Sequence, residues 1–185
     1  MCQESGVFLF RAANGGRKWE KLPPRDSRHR TTQRDSAVAF FKGQETYSLD
    51  SKGRVSLPAK MRRSLTPEAQ DTFIVTRGVD RCIVAYPLDE WRKYEERFAR
   101  LNQYNEQERF FLRMILAWSE EVQLDAQQRL MLPRRHLEFA GITNKVTIVG
   151  VVDHIEFWNP EEFERYLAGF AQSYEEVAAH VMRSS

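Results

Sequence analysis

Apolar and polar residues alternate around Tyr47 and Leu49, and again around Val55 and Leu57, as in half-buried strands. Asp50-Ser-Lys-Gly-Arg54 lies between the two runs. Aspartate bonds its own backbone two residues on and Gly53 accepts a positive φ, so this stretch predicts a tight reversal. Pro58 ends the second strand and suits the first turn of a helix, predicted over Ala59 to Leu65. Phe73–Thr76 and Ile83–Tyr86 are apolar, β-rich runs, and Arg77-Gly-Val-Asp-Arg81 between them predicts a second hairpin. Pro87-Leu-Asp-Glu90 opens a helix running to about Arg100, with Leu88, Trp91, Tyr94, Phe98 and Leu101 as its stripe. Asn105 caps a linking helix, Glu106 to Trp118. A last helix is predicted from Glu161 to about His180, carrying Phe163, Tyr166, Leu167, Phe170, Tyr174 and Val177. Such stripes read as core or subunit packing before they read as a ligand pocket.

The pattern occurs twice. Tyr47 to Arg62 aligns with Val122 to Leu137 at a constant offset of 75, with Leu49/Leu124, Asp50/Asp125, Arg54/Arg129, Leu57/Leu132 and Pro58/Pro133 identical. After a two-residue gap Phe73–Asp80 pairs with Val146–Asp153, and Cys82–Pro87 with Ile155–Pro160. Each unit is therefore β-β-α-β-β-α. A unit of roughly 50 residues is marginal alone, so two units sharing one core are expected, in a pseudo-two-fold chain that forms a homo-oligomer. Gln128 stands where the first unit has Gly53, which predicts a second reversal that is less favourable or differently shaped.

The chain has 185 residues, 42% hydrophobic, with no apolar run near the ~20 residues that span a bilayer. No membrane association is expected. Residues 1–39 hold eight Lys/Arg against four Asp/Glu and are turn-rich without period, whereas residues 40–185 hold twenty against twenty-two. The first stretch reads as a disordered or extraneous basic tail, or as a basic arm that strengthens nucleic-acid binding. Cys2 and Cys82 are the only cysteines, and the four histidines lack metal-ligand spacing. No metal, cofactor or small-molecule substrate is expected. Gly-rich phosphate loops, nucleophile elbows and His-Glu metal motifs are missing, so catalysis is not expected. Acid pairs Glu120-Glu121 and Glu161-Glu162 read as helix-end charges.

The chemistry concentrates at the reversals. Between Asp50 and Glu68 there is no acid, but there are Lys52, Arg54, Lys60, Arg62 and Arg63. The equivalent stretch after Asp125 holds Arg129, Arg134 and Arg135. Cations on a β-turn can enter a DNA groove, where arginine bonds guanine O6 and N7. Lys52, Lys60, Arg62 and Arg63 would then hold phosphates, with Ser51 adding a hydroxyl. The plainer reading is that Asp50 and Arg54 close the turn as an ion pair and the helix cations face solvent. Two equal loops across a pseudo-dyad favour a symmetric duplex target.

Phe41-Lys-Gly-Gln-Glu-Thr-Tyr-Ser-Leu-Asp-Ser-Lys-Gly-Arg-Val-Ser-Leu-Pro-Ala-Lys-Met-Arg62, with its repeat Leu124–Pro133, resembles the bacterial MraZ family of tandem SpoVT-AbrB-type units. The resemblance covers residues 41 to about 182. It implies an α+β fold in which the two units form a swapped-hairpin AbrB-like β-barrel with flanking helices. The boundaries expected are 40–104 for the first unit, 105–118 for the linking helix and 119–185 for the second unit with its C-terminal helix. It further implies a sequence-specific transcriptional regulator, usually repressing its own division and cell-wall gene cluster. Such a protein binds promoter direct repeats as a ring oligomer, in the cytoplasm at the nucleoid. The arginine that the resemblance implicates in DNA contact is Arg54; Arg54 and Lys52 rank above Arg129. The family starts at Met-Phe-(Lys/Arg)-Gly, so residues 1–39 are expected to be an upstream addition. The alternative is an antitoxin-like interaction module. That reading expects a disordered C-terminal neutralising segment, where this sequence has an amphipathic pattern.

Overall fold

A computed structural model of the protein describes residues 8–9, 20–21 and 39–184. The chain divides into two compact units after residue 36. In the first, β1 (Phe8–Leu9) pairs antiparallel with β2 (Glu20–Lys21); of the rest of the expected 1–39 tail only Ala39 is among the described residues, and it is buried. The larger unit is mixed α+β. Its first half runs β3 (Phe41–Ser48), β4 (Arg54–Ser56), α1 (Ala59–Arg62), β5 (Thr72–Arg77), β6 (Ile83–Pro87), α2 (Leu88–Phe98) and α3 (Glu106–Trp118). Its second half runs β7 (Glu120–Gln123), β8 (Arg129–Met131), α4 (Arg134–Ala140), β9 (Lys145–Val152), β10 (His154–Trp158), α5 (Pro160–Ala168) and α6 (Tyr174–Ser184).

The repeat organises the sheets. One antiparallel sheet has the order β3-β9-β10-β6-β5-β7, and a separate ribbon pairs β4 with β8. Exchanging equivalent strands of the two halves reproduces the same order reversed, so the topology has a pseudo-two-fold axis. Each half gives its first strand to the other: β3 lies on β9, and β7 on β5. The sheet remains open, with β3 and β7 as its edges, so the expected closed barrel is not what these strand pairs form.

One face of the sheet and the ribbon enclose the core. Phe41, Phe73, Phe157, Leu130 and Leu132 are essentially inaccessible there, and Ala39 is buried with them. Each such large side chain contributes roughly 1.5–3 kcal/mol by leaving water. The opposite face carries Cys82, Val84 and Trp158, covered in part by Phe163 of α5.

Four expectations need correction. The first helix stops at Arg62 instead of Leu65, because Thr66 before Pro67 is extended (φ −82°, ψ 155°) and caps a 3-10 turn, Pro67–Ala69. The predicted last helix is two helices. Gly169 closes α5, and Ser173 starts α6 with a capping box: its Oγ accepts from Glu176 N–H at 3.3 Å, and the Glu176 carboxylate accepts from Ser173 N–H at 3.0 Å. The alignment of Cys82 with Ile155 is one residue out. Ile83 and Ala85 face the core, as Ile155 and Phe157 do, while Cys82 lies on the other face. A slip of one turns every strand side chain over. The slip arises at the hairpin loops, since Gly78–Cys82 joins β5 to β6, whereas β9 and β10 turn tightly at Val152-Asp153, with Val152 at φ 58°. Finally, Glu120-Glu121 opens β7 and is not a helix end.

Candidate nucleic-acid interface

The two reversals have one geometry. In the first, Asp50 N–H donates to the Arg54 carbonyl at 3.0 Å and Gly53 N–H to the Asp50 carbonyl at 3.0 Å. The Asp50 Oδ1 accepts from the amides of Lys52 and Arg54, each at 2.9 Å. In the second, Asp125 N–H donates to the Arg129 carbonyl at 3.0 Å, and Gln128 N–H to the Asp125 carbonyl at 2.8 Å. Asp125 Oδ1 accepts from Gln127 at 2.9 Å and Arg129 at 3.0 Å. Gln128 takes the left-handed conformation (φ 60°) that Gly53 takes (φ 77°). The differently shaped second turn is therefore not found. The expectation that the turn is less favourable keeps its physical basis, since a side chain in that region is strained by about 1–2 kcal/mol.

With Oδ1 taken by amides, Oδ2 binds arginine. Arg54 Nε and Nη2 both lie 2.7 Å from Asp50 Oδ2. Arg129 repeats this on Asp125 at 2.8 and 2.7 Å. The two turns also meet across the pseudo-dyad: Arg54 Nη1 is 3.9 Å from Asp125 Oδ2, and Arg129 Nη1 is 3.7 Å from Asp50 Oδ2. Backbone bonds tie them further, Leu132 N–H to the Gly53 carbonyl and Leu57 N–H to the Gln128 carbonyl. The Arg54 amide, then its guanidinium and the Lys52 amide, hold the Asp50 carboxyl at about 2. The Arg129 side chain, helped by the amides of Arg129 and Gln127, lowers Asp125 in the same direction. Arg54 is thus accessible, its side chain 30% exposed, and already partnered.

The remaining cations separate by unit. Ser51, Lys52, Lys60 and Arg63 are exposed, and none of the three cations has an acidic partner among the described residues. Arg62 is half-buried, with its Nε making no hydrogen bond. In the second unit Arg134 Nε bonds Glu138 at 2.8 Å, and Arg135 Nε bonds Glu120 at 2.7 Å while lying 5.3 Å over the Trp118 ring. Among the described residues, Lys52, Lys60 and Arg63 of the first unit are therefore without acidic partners, where Arg134 and Arg135 of the second are in ion pairs. Sequence reading located both clusters. It missed that β7 delivers Glu120 to Arg135, which needs the fold, and it missed Lys42. That lysine is exposed on β3 and shares a small hollow of about 70 Å3 with Phe40, Lys60 and Ser64. Strand alternation beside the inward Phe41 was the available signal.

Comparison with known proteins agrees with this architecture. The family described as "MraZ protein, putative antitoxin-like" matches twice, over residues 40–114 and 115–183. A transcriptional regulator MraZ from Natranaerobius thermophilus is 37% identical over 143 residues, 77% of this chain and 97% of the relative. With both halves matched and the repeated Asp-x-x-x-Arg turns joined at the pseudo-dyad, the chain belongs to the MraZ family.

Proposed function

We propose that this protein is a DNA-binding transcriptional regulator that holds duplex DNA on the basic surface of its first unit. The observation that carries the reading is the group of exposed cations Lys52, Lys60 and Arg63, without an acidic partner among the described residues, on a core whose net charge is slightly negative. The relative named as a transcriptional regulator supports it. Lys52 and Ser51 at the turn tip, with Lys60, Arg62 and Arg63 behind them, hold phosphates and set the register. Arg54 fixes the turn through Asp50, and reaches a base edge by exchanging that carboxylate for guanine. Arg134 and Arg135 contribute less, because their charge is paired with Glu138 and Glu120, and Arg129 less than Arg54, because its turn carries Ala126 and Gln127 where the first carries Ser51 and Lys52.

The mutual exchange of strands between halves supports reading the core as a swapped-hairpin AbrB-like fold. In this reading the protein works at the nucleoid, in the cytoplasm. There it represses its own division and cell-wall gene cluster by binding tandem direct repeats as a homo-oligomeric ring. A single turn touches few base pairs, so affinity comes from many turns engaging many repeats at high effective concentration.

The test is a gel shift with the protein's own upstream DNA, over salt and repeat number. Binding is expected to rise steeply with repeats. Lys52→Ala, Lys60→Ala and Arg63→Ala together are expected to abolish the shift at physiological salt and to flatten the salt slope by about 1 per contact removed, with the melting curve unchanged. Wild-type binding by that triple variant overturns the assignment.

A further inference from the structure

The start of β3 and the helix α1 have counterparts in the second half, and the two places are filled differently. Continued back along β3, the offset of 75 sets Gly43 against Trp118, Glu45 against Glu120 and Tyr47 against Val122, as it sets Lys60 against Arg135. Strand pairing agrees: Glu45 lies opposite Ile148 and Glu120 opposite Val75, which the repeat itself aligns. In the second half Glu120 takes Arg135 at 2.7 Å, and the Trp118 ring stacks with that guanidinium. In the first half neither holds. The Tyr47 hydroxyl donates to Glu45 at 2.8 Å, and Lys60 has no acidic partner among the described residues. Gly43 takes φ 95°, and a side chain on it would collide with the Lys60 ammonium. The place that an indole fills in one half is left in the other to a lysine and the hollow beside it.

That hollow is lined by Lys42, Lys60, Ser64, the buried Met61 and the exposed Phe40, with no acid among them. The Ser64 hydroxyl is engaged, donating to the Lys60 carbonyl at 3.2 Å. Phe40 is 55% exposed although Ala39 and Phe41 on either side are buried, so its ring cannot turn inward without drawing them out. Pairing of Phe41 with Val152 and Lys42 with Val151 holds the segment in place. An aromatic ring is thus fixed in water beside two cations. A partner that suits both must carry negative charge and present an apolar face next to it. The sugar–phosphate backbone of DNA does so at every nucleotide.

We propose that Phe40, Lys42 and Lys60 form a second contact of the first unit with DNA: the two ammonium groups hold one backbone phosphate at the hollow, and the Phe40 ring lies on the adjoining deoxyribose. This rests on the DNA reading in the proposed function and adds to it a contact away from the turn. From Lys42 to Ser48 the strand rises about 20 Å, so turn and hollow hold different phosphates. Tyr47 is a positioning residue, because its hydroxyl occupies the carboxylate whose counterpart neutralises Arg135.

Fluorescence anisotropy of the full chain with the protein's own upstream DNA, titrated over salt, tests the contact. Phe40→Ala is expected to weaken binding about fivefold at every salt concentration, since an apolar contact is lost and no charge. Lys42→Ala is expected to weaken binding and to flatten the salt slope by about 1 per contact removed. Both residues are exposed, and both variants are expected to melt as the wild type does. Tyr47→Phe changes no charge, yet is expected to flatten the slope as Glu45 turns to Lys60; adding Glu45→Gln is expected to restore it. Wild-type affinity in Phe40→Ala, or a wild-type slope in Lys42→Ala, overturns the proposal. A Tyr47→Phe variant without loss, or a loss that Glu45→Gln does not restore, overturns the role of Tyr47. Weakened binding by Lys52→Ala beside unaltered binding by Phe40→Ala and Lys42→Ala removes this contact and leaves the DNA reading standing, whereas a wild type that binds no DNA removes both.

Discussion

Asp50 and Asp125 are the residues on which the candidate site depends, since each gathers two amides and one guanidinium around a single carboxylate. Such contacts favour the ionised form, and both carboxyls are held below their usual range. The sign follows. An aspartate with a depressed folded pKa stabilises the fold fully above its unfolded value of about 3.9, and loses that contribution as pH falls through the folded value. For Asp50 the window runs from about 4 down to about 2. Asp50→Asn is therefore expected to be less stable than the wild type at pH 7, with the gap closing as pH approaches 2.5, measured by urea unfolding at both pH values. An undiminished gap at low pH means that the carboxylate's charge is not what holds the turn. The Asp-x-x-x-Arg spacing made the turn legible in sequence, and the ion pair was one of its two readings. The link from Arg54 to Asp125 was not legible, because no local pattern records which turn lies across a pseudo-dyad.

Elements of strong periodicity were read well, and those defined by their ends were not. The 106–118 helix has a stripe, a capping Asn105 and an acidic first turn, and it forms over those residues. The 160–184 region has an equally continuous stripe, which hid a break that chemistry marks: Gly169 followed by Ser173-x-x-Glu176. The β6/β10 slip has a similar origin. Pro87 and Pro160 invited alignment, yet Pro87 is the residue before α2 and Pro160 the first residue of α5. The break at α6 is testable by itself. Ser173→Ala removes the side-chain half of the capping box, worth about 1 kcal/mol. Amide exchange in the first turn of α6 is expected to quicken roughly fivefold, with no change in β5 or β6. Unaltered exchange in α6 means that Ser173 does not set the start of that helix.

At the scale of the molecule, the two halves are not two domains side by side. Alone, residues 39–118 retain one complete strand pair, β5 with β6; β3 loses β9, β4 loses β8, and β5 loses β7 on its other side. The core goes with them, since Leu130, Leu132, Ile148, Ile155 and Phe157 all come from the second half. A two-stranded pair with one exposed apolar face is not stable in water. The palindromic strand order nevertheless means that the vacated places match strands the first half itself possesses. Residues 39–118 are therefore expected to fold only as a two-chain assembly, either with residues 119–184 or with a second copy of themselves. Folding would then be bimolecular, and the melting temperature of either assembly would rise with concentration, whereas in the intact chain the partner strands are covalently joined and the core forms without a second chain. Circular-dichroism melts over a hundredfold concentration range, with masses from light scattering, decide the matter. A monomeric 39–118 fragment that melts sharply at a concentration-independent temperature would show that the first half completes its own core, and that the exchange of β3 and β7 is not what holds the fold together.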